Sequence, residues 1–294
     1  MRSAITLLIT LSVIATMIAL MGVMFKYLDV ARGKAEVKAA MIQANLLSAD
    51  TSQFLRQILG KKPSKSTMKT LFETPLWLNA ESGEFSMGIS CKPLADRINI
   101  AWLGLEGGAK NQQAYALASS IFDMLTDKVN LRDAGLLREK IVNALKSGSS
   151  STFGAPSRIN RKKGIITFKK FQELLDDYRF ETDDSRAYGI PWQRYFSFGT
   201  HEQKVDGDFV SPALLALLYD VDPSVVQEDY TLGSLDSFLS EIGESRNTYK
   251  WLFSKKTLAV AQCGGSYTFR KGSYGFTFNY MHGRVEGFEF FGGK

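Results

Sequence analysis

The sequence predicts an α+β protein organised around one long N-terminal helix, with a small antiparallel sheet that a large helical insertion interrupts. Three observations indicate this fold: an uncharged apolar run at residues 4–25, a helical period that continues to residue 59, and alternating runs on both sides of a helical stretch. The predicted parts are a transmembrane helix at 1–25, its amphipathic continuation at 26–60, the first part of the sheet at 61–110, the helical insertion at 111–245 and the C-terminal strands that complete the sheet at 246–294.

The apolar run from Ala4 to Phe25 contains no charged residue and no proline. As a helix, about 20 such residues cross a hydrocarbon core about 30 Å thick. A cleaved signal peptide has a shorter apolar core, about 7–15 residues, followed by small residues at the cleavage site, whereas Lys26 and Tyr27 follow here. A core helix of a soluble domain would carry a polar face, which this run lacks. The run therefore favours one uncleaved membrane span over both alternatives.

The helical pattern continues beyond the membrane segment. Between Lys26 and Leu59 there is no proline and one glycine, and apolar residues recur at Leu28, Ala31, Ala35, Ala39, Ile42, Leu46, Ala49, Phe54 and Ile58. Because a helix in water is stabilised mainly by packing one face, we expect this half to carry contacts both to the body and to a partner. Gly60 and Pro63 are typical of a helix end, and a polar linker is predicted at 61–70.

Runs with a period of two flank a helical region. Residues 84–91 and 98–102 alternate, so we expect two or three strands between residues 74 and 104. Helical periods follow at 112–129, 130–146 and 168–180, with Thr167 and Ser211 as N-caps. After residue 257, four short runs predict an antiparallel meander whose turns are Gly264-Gly265, Lys271-Gly272 and His282-Gly283.

The charge balance argues against nucleic-acid binding and bears on which side of the membrane the body lies. The formal net charge is +6 and the sequence pI about 9.1, but the basic residues are spread along the chain, so no nucleic-acid surface is indicated. Four basic residues follow the span within a short distance: Lys26, Arg32, Lys34 and Lys38. Positive residues close to a span favour the cytoplasmic side, so the charge count alone places the body in the cytoplasm.

The two cysteines, Cys91 and Cys263, lie far apart and in no metal-binding spacing. In an exported body they would form a disulfide between the middle of the chain and its last segment, and in a cytosolic body they would be two buried thiols. The sequence alone leaves both open.

The motifs that would indicate an enzyme are absent from the sequence. His201 and His282 have no paired spacing, and there is no G-x-S-x-G and no phosphate-binding glycine loop. Ser66 and Lys69 fit S-x-x-K, a match that chance explains in a serine- and lysine-rich segment. We therefore predict no catalytic residue and no cofactor.

Asp206 and Asp208 are the candidate ligands for a calcium ion, because Ca²⁺ prefers carboxylate oxygens. They lack the D-x-D-x-D-G spacing of a calcium loop, and acidic runs are usually solvated.

The order of these parts, together with three segments, carries a resemblance to a known family: Ile89–Leu103, Gly164–Tyr178 and Tyr195–Leu218. The chain resembles the minor pseudopilins, and is most similar to the general secretion pathway protein K family of type II secretion systems. Its start, MRSAITLL, lacks the basic leader ending in glycine that pilin-like precursors carry. It also lacks the early glutamate of most pseudopilins, as the K family does.

The resemblance implies a non-enzymatic component of a secretion or pilus-type machine, which helps to initiate or cap the pseudopilus. It implies a single-pass inner-membrane protein with its body in the periplasm, against the charge count, and partners among other minor pseudopilins and inner-membrane components. Small residues in the span would permit close helix approach: Ala4, Ala15, Ala19 and Gly22. The helical insertion would lie at the fibre tip.

Two alternatives of other classes remain open at this point. The first is a membrane-anchored periplasmic protein with a ligand-binding or enzymatic body, which a deep polar pocket would favour. The second is a pilus assembly scaffold, which would show a coiled coil followed by a ferredoxin-like domain and no helical insertion near residues 111–245.

Overall fold

The first helix, α1 (Arg2–Leu59), is continuous over 58 residues. At 1.5 Å per residue it is about 87 Å long. It ends where Gly60 adopts a left-handed conformation (φ 57°) and its N–H bonds to the Arg56 carbonyl oxygen at 3.0 Å. The computed structural model describes residues 2–60, 63–79, 86–106, 111–147, 167–200, 202–269 and 272–292.

A short helix, α2 (Lys65–Glu73), follows where the sequence predicts a polar linker. The Ser64 side chain caps it by accepting a hydrogen bond from the Thr67 N–H at 3.1 Å. Met68 and Leu71 are buried, while the lysines face outward. The sequence pattern did not predict this short amphipathic helix, because only two apolar side chains define its buried face among the basic residues.

A five-stranded antiparallel sheet packs against α1. In spatial order its strands are β1 (Leu76–Asn79), β2 (Ser86–Pro93), β5 (Val260–Phe269), β6 (Gly272–Met281) and β7 (Arg284–Gly292). The β6–β7 connection is a two-residue turn in which His282 (φ 49°) and Gly283 (φ 86°) both have positive φ, as a type I′ hairpin requires. The chain leaves this sheet after β2 and returns to it at β5.

The segment between β2 and β5 is mostly helical. Its elements are β3 (Ile98–Asn99), α3 (Gln112–Lys128), α4 (Ala134–Ser147), α5 (Phe168–Thr182), α6 (Trp192–Tyr195), β4 (Phe196–Ser197), α7 (Pro212–Leu218), α8 (Pro223–Asp229), α9 (Leu235–Glu241) and 3-10 helices at Ile100–Gly104, Arg186–Gly189 and Arg246–Tyr249. β3 and β4 form a separate parallel pair. Thr167 and Ser211 cap α5 and α7 by accepting hydrogen bonds from Lys170 and Leu214 N–H groups, as predicted.

The protein contains two principal hydrophobic cores. One lies between α1, α2 and the five-stranded sheet, and includes Ala44, Leu55, Met87, Phe276 and Phe278. The other lies within the insertion and includes Trp102, Phe122, Phe171, Trp192 and Phe238. Each half of the body therefore buries its own apolar surface.

The insertion is longer than the sequence pattern indicates. Ile98, Ile100 and Trp102 were predicted to alternate along a strand of the first sheet, but they belong to the core of the insertion, where β3 gives way to a 3-10 helix. At the other end the sheet resumes at Val260, close to residue 257, where the C-terminal strands are predicted to begin. Asn99 explains the difference at 98–102, since its side chain accepts a hydrogen bond from the Ala101 N–H at 2.9 Å and starts the 3-10 turn.

The predicted turn at Gly264-Gly265 is wrong, because both glycines lie inside β5. These glycines allow the neighbouring strands to approach β5 closely. A Cβ on Gly264 would lie 3.0 Å from Thr277 Cγ2, and one on Gly265 would lie 3.2 Å from the Gly88 carbonyl oxygen. The predicted turn residue Lys271 lies outside the described residues.

The predicted fold class is confirmed: a long N-terminal apolar helix, a small antiparallel sheet and a large helical insertion between its strands. The scaffold alternative required a body without helices near residues 111–245, and this region contains α3 to α9.

Candidate assembly surface

The first half of α1 extends away from the body. Every described side chain from Leu11 to Ala35 is exposed. An 18-residue window within Leu11–Leu59 has a mean hydropathy of 1.9, and none of it is buried in this chain. By length and composition this helix can cross a membrane. The alternative of a core helix is excluded for this chain, because a core helix would be covered.

The second half of α1 packs on the sheet through small and polar residues. Its buried positions are Ala40, Ala44, Leu47, Ser48, Thr51, Ser52, Leu55 and Leu59. The Tyr267 hydroxyl donates a hydrogen bond to the Ala40 carbonyl oxygen, and Arg56 Nε donates to the Gly283 carbonyl oxygen. These contacts fix α1 to β5 and to the β6–β7 turn. The two contact points on α1 are about four helical turns apart.

The face of α1 opposite the sheet carries an apolar line, here named the outward stripe: Met24, Leu28, Ala31, Ala35, Ile42, Leu46 and Ala49. All seven are exposed, and Ile42 and Leu46 keep 63% and 57% of their surface. At 3.6 residues per turn they fall within an arc of about 60°, over a length of about 38 Å. The stripe runs from the predicted membrane segment to the body, with a gap of two turns between Ala35 and Ile42.

The sequence predicted these apolar positions but not which way they face. Six of the seven belong to the period that was expected to pack in part against the body: Leu28, Ala31, Ala35, Ile42, Leu46 and Ala49. The structure leaves them uncovered and buries the alanine- and serine-containing face instead. Large exposed apolar patches mark surfaces that bind other proteins or membranes.

The candidate calcium ligands Asp206 and Asp208 lie where the insertion joins the sheet. Asp206 is buried, and its carboxylate accepts hydrogen bonds from the N–H groups of Asp208 (3.0 Å) and Leu258 (2.8 Å). Its own N–H donates to the Ala95 carbonyl oxygen at 2.7 Å. Asp206 therefore ties the exit from β2 to the approach to β5, and burial raises the pKa of its carboxyl group to about 6.

Asp208 faces cations rather than other carboxylates. Its Oδ1 lies 3.8 Å from Lys65 Nζ and 3.9 Å from Arg246 Nη1, and its Oδ2 accepts a hydrogen bond from the Thr257 hydroxyl at 2.6 Å. Arg246 also donates to the Ser254 carbonyl oxygen at 2.9 Å. In the part of the chain that the structure describes, no group of three or more His, Cys, Asp or Glu residues could hold a metal ion.

The other sequence candidates are His282 and the pair Ser66 and Lys69. His282 Nε2 lies 2.6 Å from Glu202 Oε1, while His201 lies outside the described residues. Lys69 Nζ lies 3.7 Å from Glu73, on the same helix, rather than near a nucleophile. Among the described residues, the recorded partners of His282 and Lys69 are the glutamates Glu202 and Glu73.

Cys91 and Cys263 are bonded, with an S–S distance of 2.01 Å. They are register partners on β2 and β5, at the point where the insertion leaves and re-enters the sheet. The bond belongs to the core beneath α1.

Comparison with known proteins gives a structural match and no sequence match. No protein-family model and no curated protein matches the chain. One similar solved structure is a chain of the GspK-GspI-GspJ complex from the type 2 secretion system of enterotoxigenic Escherichia coli. The TM-score is 0.50 and the sequence identity 12%, and the match covers 89% of this chain and 99% of that chain. At the level of the fold, this confirms the resemblance to a pseudopilin that the order of helix, sheet and insertion indicated.

Proposed function

We propose that this chain is a non-enzymatic, minor pseudopilin-like component of a type II secretion or pilus-type machine. The observation that carries the proposal is the outward stripe, which begins in the predicted membrane segment and continues along the body as far as Ala49. A helix bound only to its own sheet would need no apolar residues on its opposite face. Similar helices of partner subunits, in the membrane and above it, would cover the stripe.

The anchor and the body have separate tasks in this proposal. The first half of α1 holds the chain in the inner membrane, where Ala15, Ala19 and Gly22 permit close packing against partner helices. The second half presents Ile42 and Leu46 to neighbouring subunits. Such partners are other minor pseudopilins, as in the complex whose fold this chain shares, and inner-membrane components of the machine.

We further propose that the chain sits at the tip of the assembled fibre, where it initiates or caps the structure. The insertion between β2 and β5 is larger than the sheet domain and carries its own core. A subunit stacked directly above would collide with such bulk, whereas a tip subunit has no neighbour there.

The body is proposed to lie in the periplasm. The disulfide between Cys91 and Cys263 supports this side, because such bonds form and persist in oxidising compartments. This argument opposes the count of basic residues after the span, which by itself favours the cytoplasm. Protease digestion of the body in intact spheroplasts tests the choice, and protection of the body would contradict it.

Site-specific photo-cross-linking tests the assembly role. Benzoylphenylalanine placed at Leu46 in the full-length chain, in its native membrane, should cross-link to a pilin-like protein. The matched control is Phe180 on α5, an aromatic residue that is 91% exposed and far along the chain from the stripe. Cross-links to a pilin-like partner from position 180 but not from position 46, or from neither, would overturn the proposal.

A further inference from the structure

The face of the sheet opposite α1 carries an aromatic residue at each edge. Register pairs connect one row across all five strands: Trp77 with Gly88, Gly88 with Ser266, Ser266 with Gly275, and Gly275 with Phe291. The two edge residues are large and the three inner residues are small. Trp77 and Phe291 retain 68% and 53% of their surface.

Each aromatic ring leans inward over the neighbouring glycine. A Cβ on Gly88 would lie 3.1 Å from Trp77 Cζ3, and a Cβ on Gly275 would lie 2.2 Å from Phe291 Cε2. The rings thus occupy space that side chains at these two positions would fill, an arrangement known to stabilise glycines in sheets. The glycines allow both rings to lie close to the sheet and still be accessible.

The two covered glycines are two strand spacings apart, which is about 10 Å. Between and beside the rings, hydroxyl side chains point to solvent from Ser90, Ser266, Thr268 and Ser273. Next to Trp77 they border a groove of about 410 Å³. The described residues that line this groove carry no charge.

We propose that this face binds a neutral oligosaccharide, with one sugar ring on Trp77 and a second towards Phe291. The face of a pyranose ring is made of C–H groups, which are attracted to the negative face of an aromatic ring. The equatorial hydroxyls at its rim need hydrogen-bond donors and acceptors, and serine and threonine supply both. Because the described residues that line the groove beside Trp77 carry no charge, this groove suits a neutral sugar rather than an acidic or basic ligand.

The occupant follows from the spacing as well as from the chemistry. The glycines under the two rings are about 10 Å apart and the rings themselves belong to the outer strands β1 and β7, so they are too distant to enclose a single sugar ring. An extended chain of linked rings lying across β2, β5 and β6 can reach both. The site is on the opposite side of the sheet from the outward stripe, so it does not rest on the proposed assembly role.

The experiment titrates the detergent-solubilised full-length chain with neutral gluco-oligosaccharides from the disaccharide to the hexasaccharide. Binding is followed by isothermal calorimetry and by chemical-shift changes of the indole N–H groups. We expect affinity to rise until the chain is long enough to reach both rings. Trp77→Ala should weaken binding about tenfold or more, while Trp77→Phe should retain part of it.

Three controls make the result specific. Phe180→Ala removes an exposed aromatic residue elsewhere and should leave binding unchanged. Ser266→Gln keeps both rings but fills the floor between them, and should weaken binding even if the Trp77→Ala chain proves unstable. The same titration with an oligogalacturonate and with a proline decamer tests the class of ligand.

The proposal is overturned if the native chain binds no neutral oligosaccharide at about 10 mM, where even a weak site would be occupied. It is also overturned if Ser266→Gln has no effect on binding, or if the proline decamer or the acidic glycan binds more tightly. Loss of cross-linking at Leu46 would leave these outcomes unaffected, so the two proposals fail separately.

Discussion

Cys91 and Cys263 lie directly opposite each other on β2 and β5, with Cα atoms 4.0 Å apart and 172 residues apart in sequence. The disulfide between them closes a loop that contains the whole insertion. Asp206 closes nearly the same loop without a covalent bond, through its contacts to Ala95 and Leu258. The insertion is therefore held to the sheet at this neck by one covalent bond and one polar cluster, and also by contacts such as the hydrogen bond from Asn279 Nδ2 on β6 to the Gly199 carbonyl oxygen at 3.0 Å.

Removal of the disulfide should lower stability strongly. In the chain-entropy view, a bond that closes so long a loop stabilises the folded state by up to about 5 kcal/mol. We expect the double variant Cys91→Ser, Cys263→Ser to unfold at a clearly lower temperature, as measured by circular dichroism in detergent. Dithiothreitol should lower the melting temperature of the native chain and leave that of the variant unchanged. An equal response of both chains would contradict a stabilising bond.

The two faces of α1 should respond differently to the same substitution. Ala44 is fully buried against the sheet, whereas Ala35 is exposed on the outward stripe. We expect Ala44→Leu to lower the free energy of unfolding by about 1–3 kcal/mol through overpacking. Ala35→Leu should change it by no more than about 0.5 kcal/mol. Urea unfolding of the two solubilised variants checks this, and similar losses in both would mean that the packed face is assigned wrongly.

These two faces also mark a limit of the sequence analysis. The period of the apolar residues correctly predicts a helix to residue 59, because it depends only on local spacing. It does not tell which apolar face meets the sheet, since both faces carry apolar residues. The buried face contains Ser48, Thr51 and Ser52, polar residues that a hydropathy pattern does not assign to a buried face. Their burial follows from close approach of helix and sheet, which small side chains permit.

Long-range contacts account for the other differences. Gly264 and Gly265 resemble a turn in isolation, yet their strand has neighbours on both sides that need the space. Asp206 resembles a solvated ligand, yet it accepts a backbone hydrogen bond from Leu258, 52 positions later in the chain. The Trp77–Phe291 row was not predicted at all, because its members come from five strands on both sides of the insertion.

Calcium should not stabilise the protein through Asp206 and Asp208. Both oxygens of Asp206 and Oδ2 of Asp208 already accept hydrogen bonds. Asp208 Oδ1 faces Lys65 and Arg246, where a cation would have to bind. We expect the melting temperature to be the same in millimolar CaCl₂ and in EDTA. Asp208→Asn should lower it equally in both solutions. A rise in calcium that Asp208→Asn abolishes would establish a metal site at the neck.

The contribution of Asp96 to stability should decrease as the pH rises, whereas that of a carboxylate in a surface ion pair would increase. It is buried at the neck beside Arg97 (2.9 Å), and burial raises the pKa of its carboxyl group to about 6. Because the folded state holds the proton more tightly than the unfolded state, stability relative to Asp96→Asn should fall as pH rises from about 4 to about 6. The total change is at most about 3 kcal/mol. Urea unfolding of both chains across this range measures it, and a rising difference would contradict the assignment.

Asp184 provides the opposite case within the insertion. Its buried carboxylate accepts hydrogen bonds from Arg186 Nε and Nη2, both at 2.8 Å, and from the N–H groups of Arg132 (2.9 Å) and Arg186 (3.0 Å). The Arg186 side chain, as the main donor, holds the pKa of this carboxyl group well below its usual range. The charged form is thus favoured by folding, so its contribution is present above about pH 4 and is lost as the pH falls further.

We expect Asp184→Asn to lower the free energy of unfolding at pH 7 by about 1–3 kcal/mol, because the amide cannot accept all four hydrogen bonds. The difference from the native chain should shrink in acid, where the native carboxylate becomes protonated. Urea unfolding at pH 7 and near pH 3 tests this, with Asp183→Asn, a neighbouring exposed aspartate, as the matched control. A loss that is the same at both pH values would show that Asp184 stabilises the end of α5 by its shape and not by its charge.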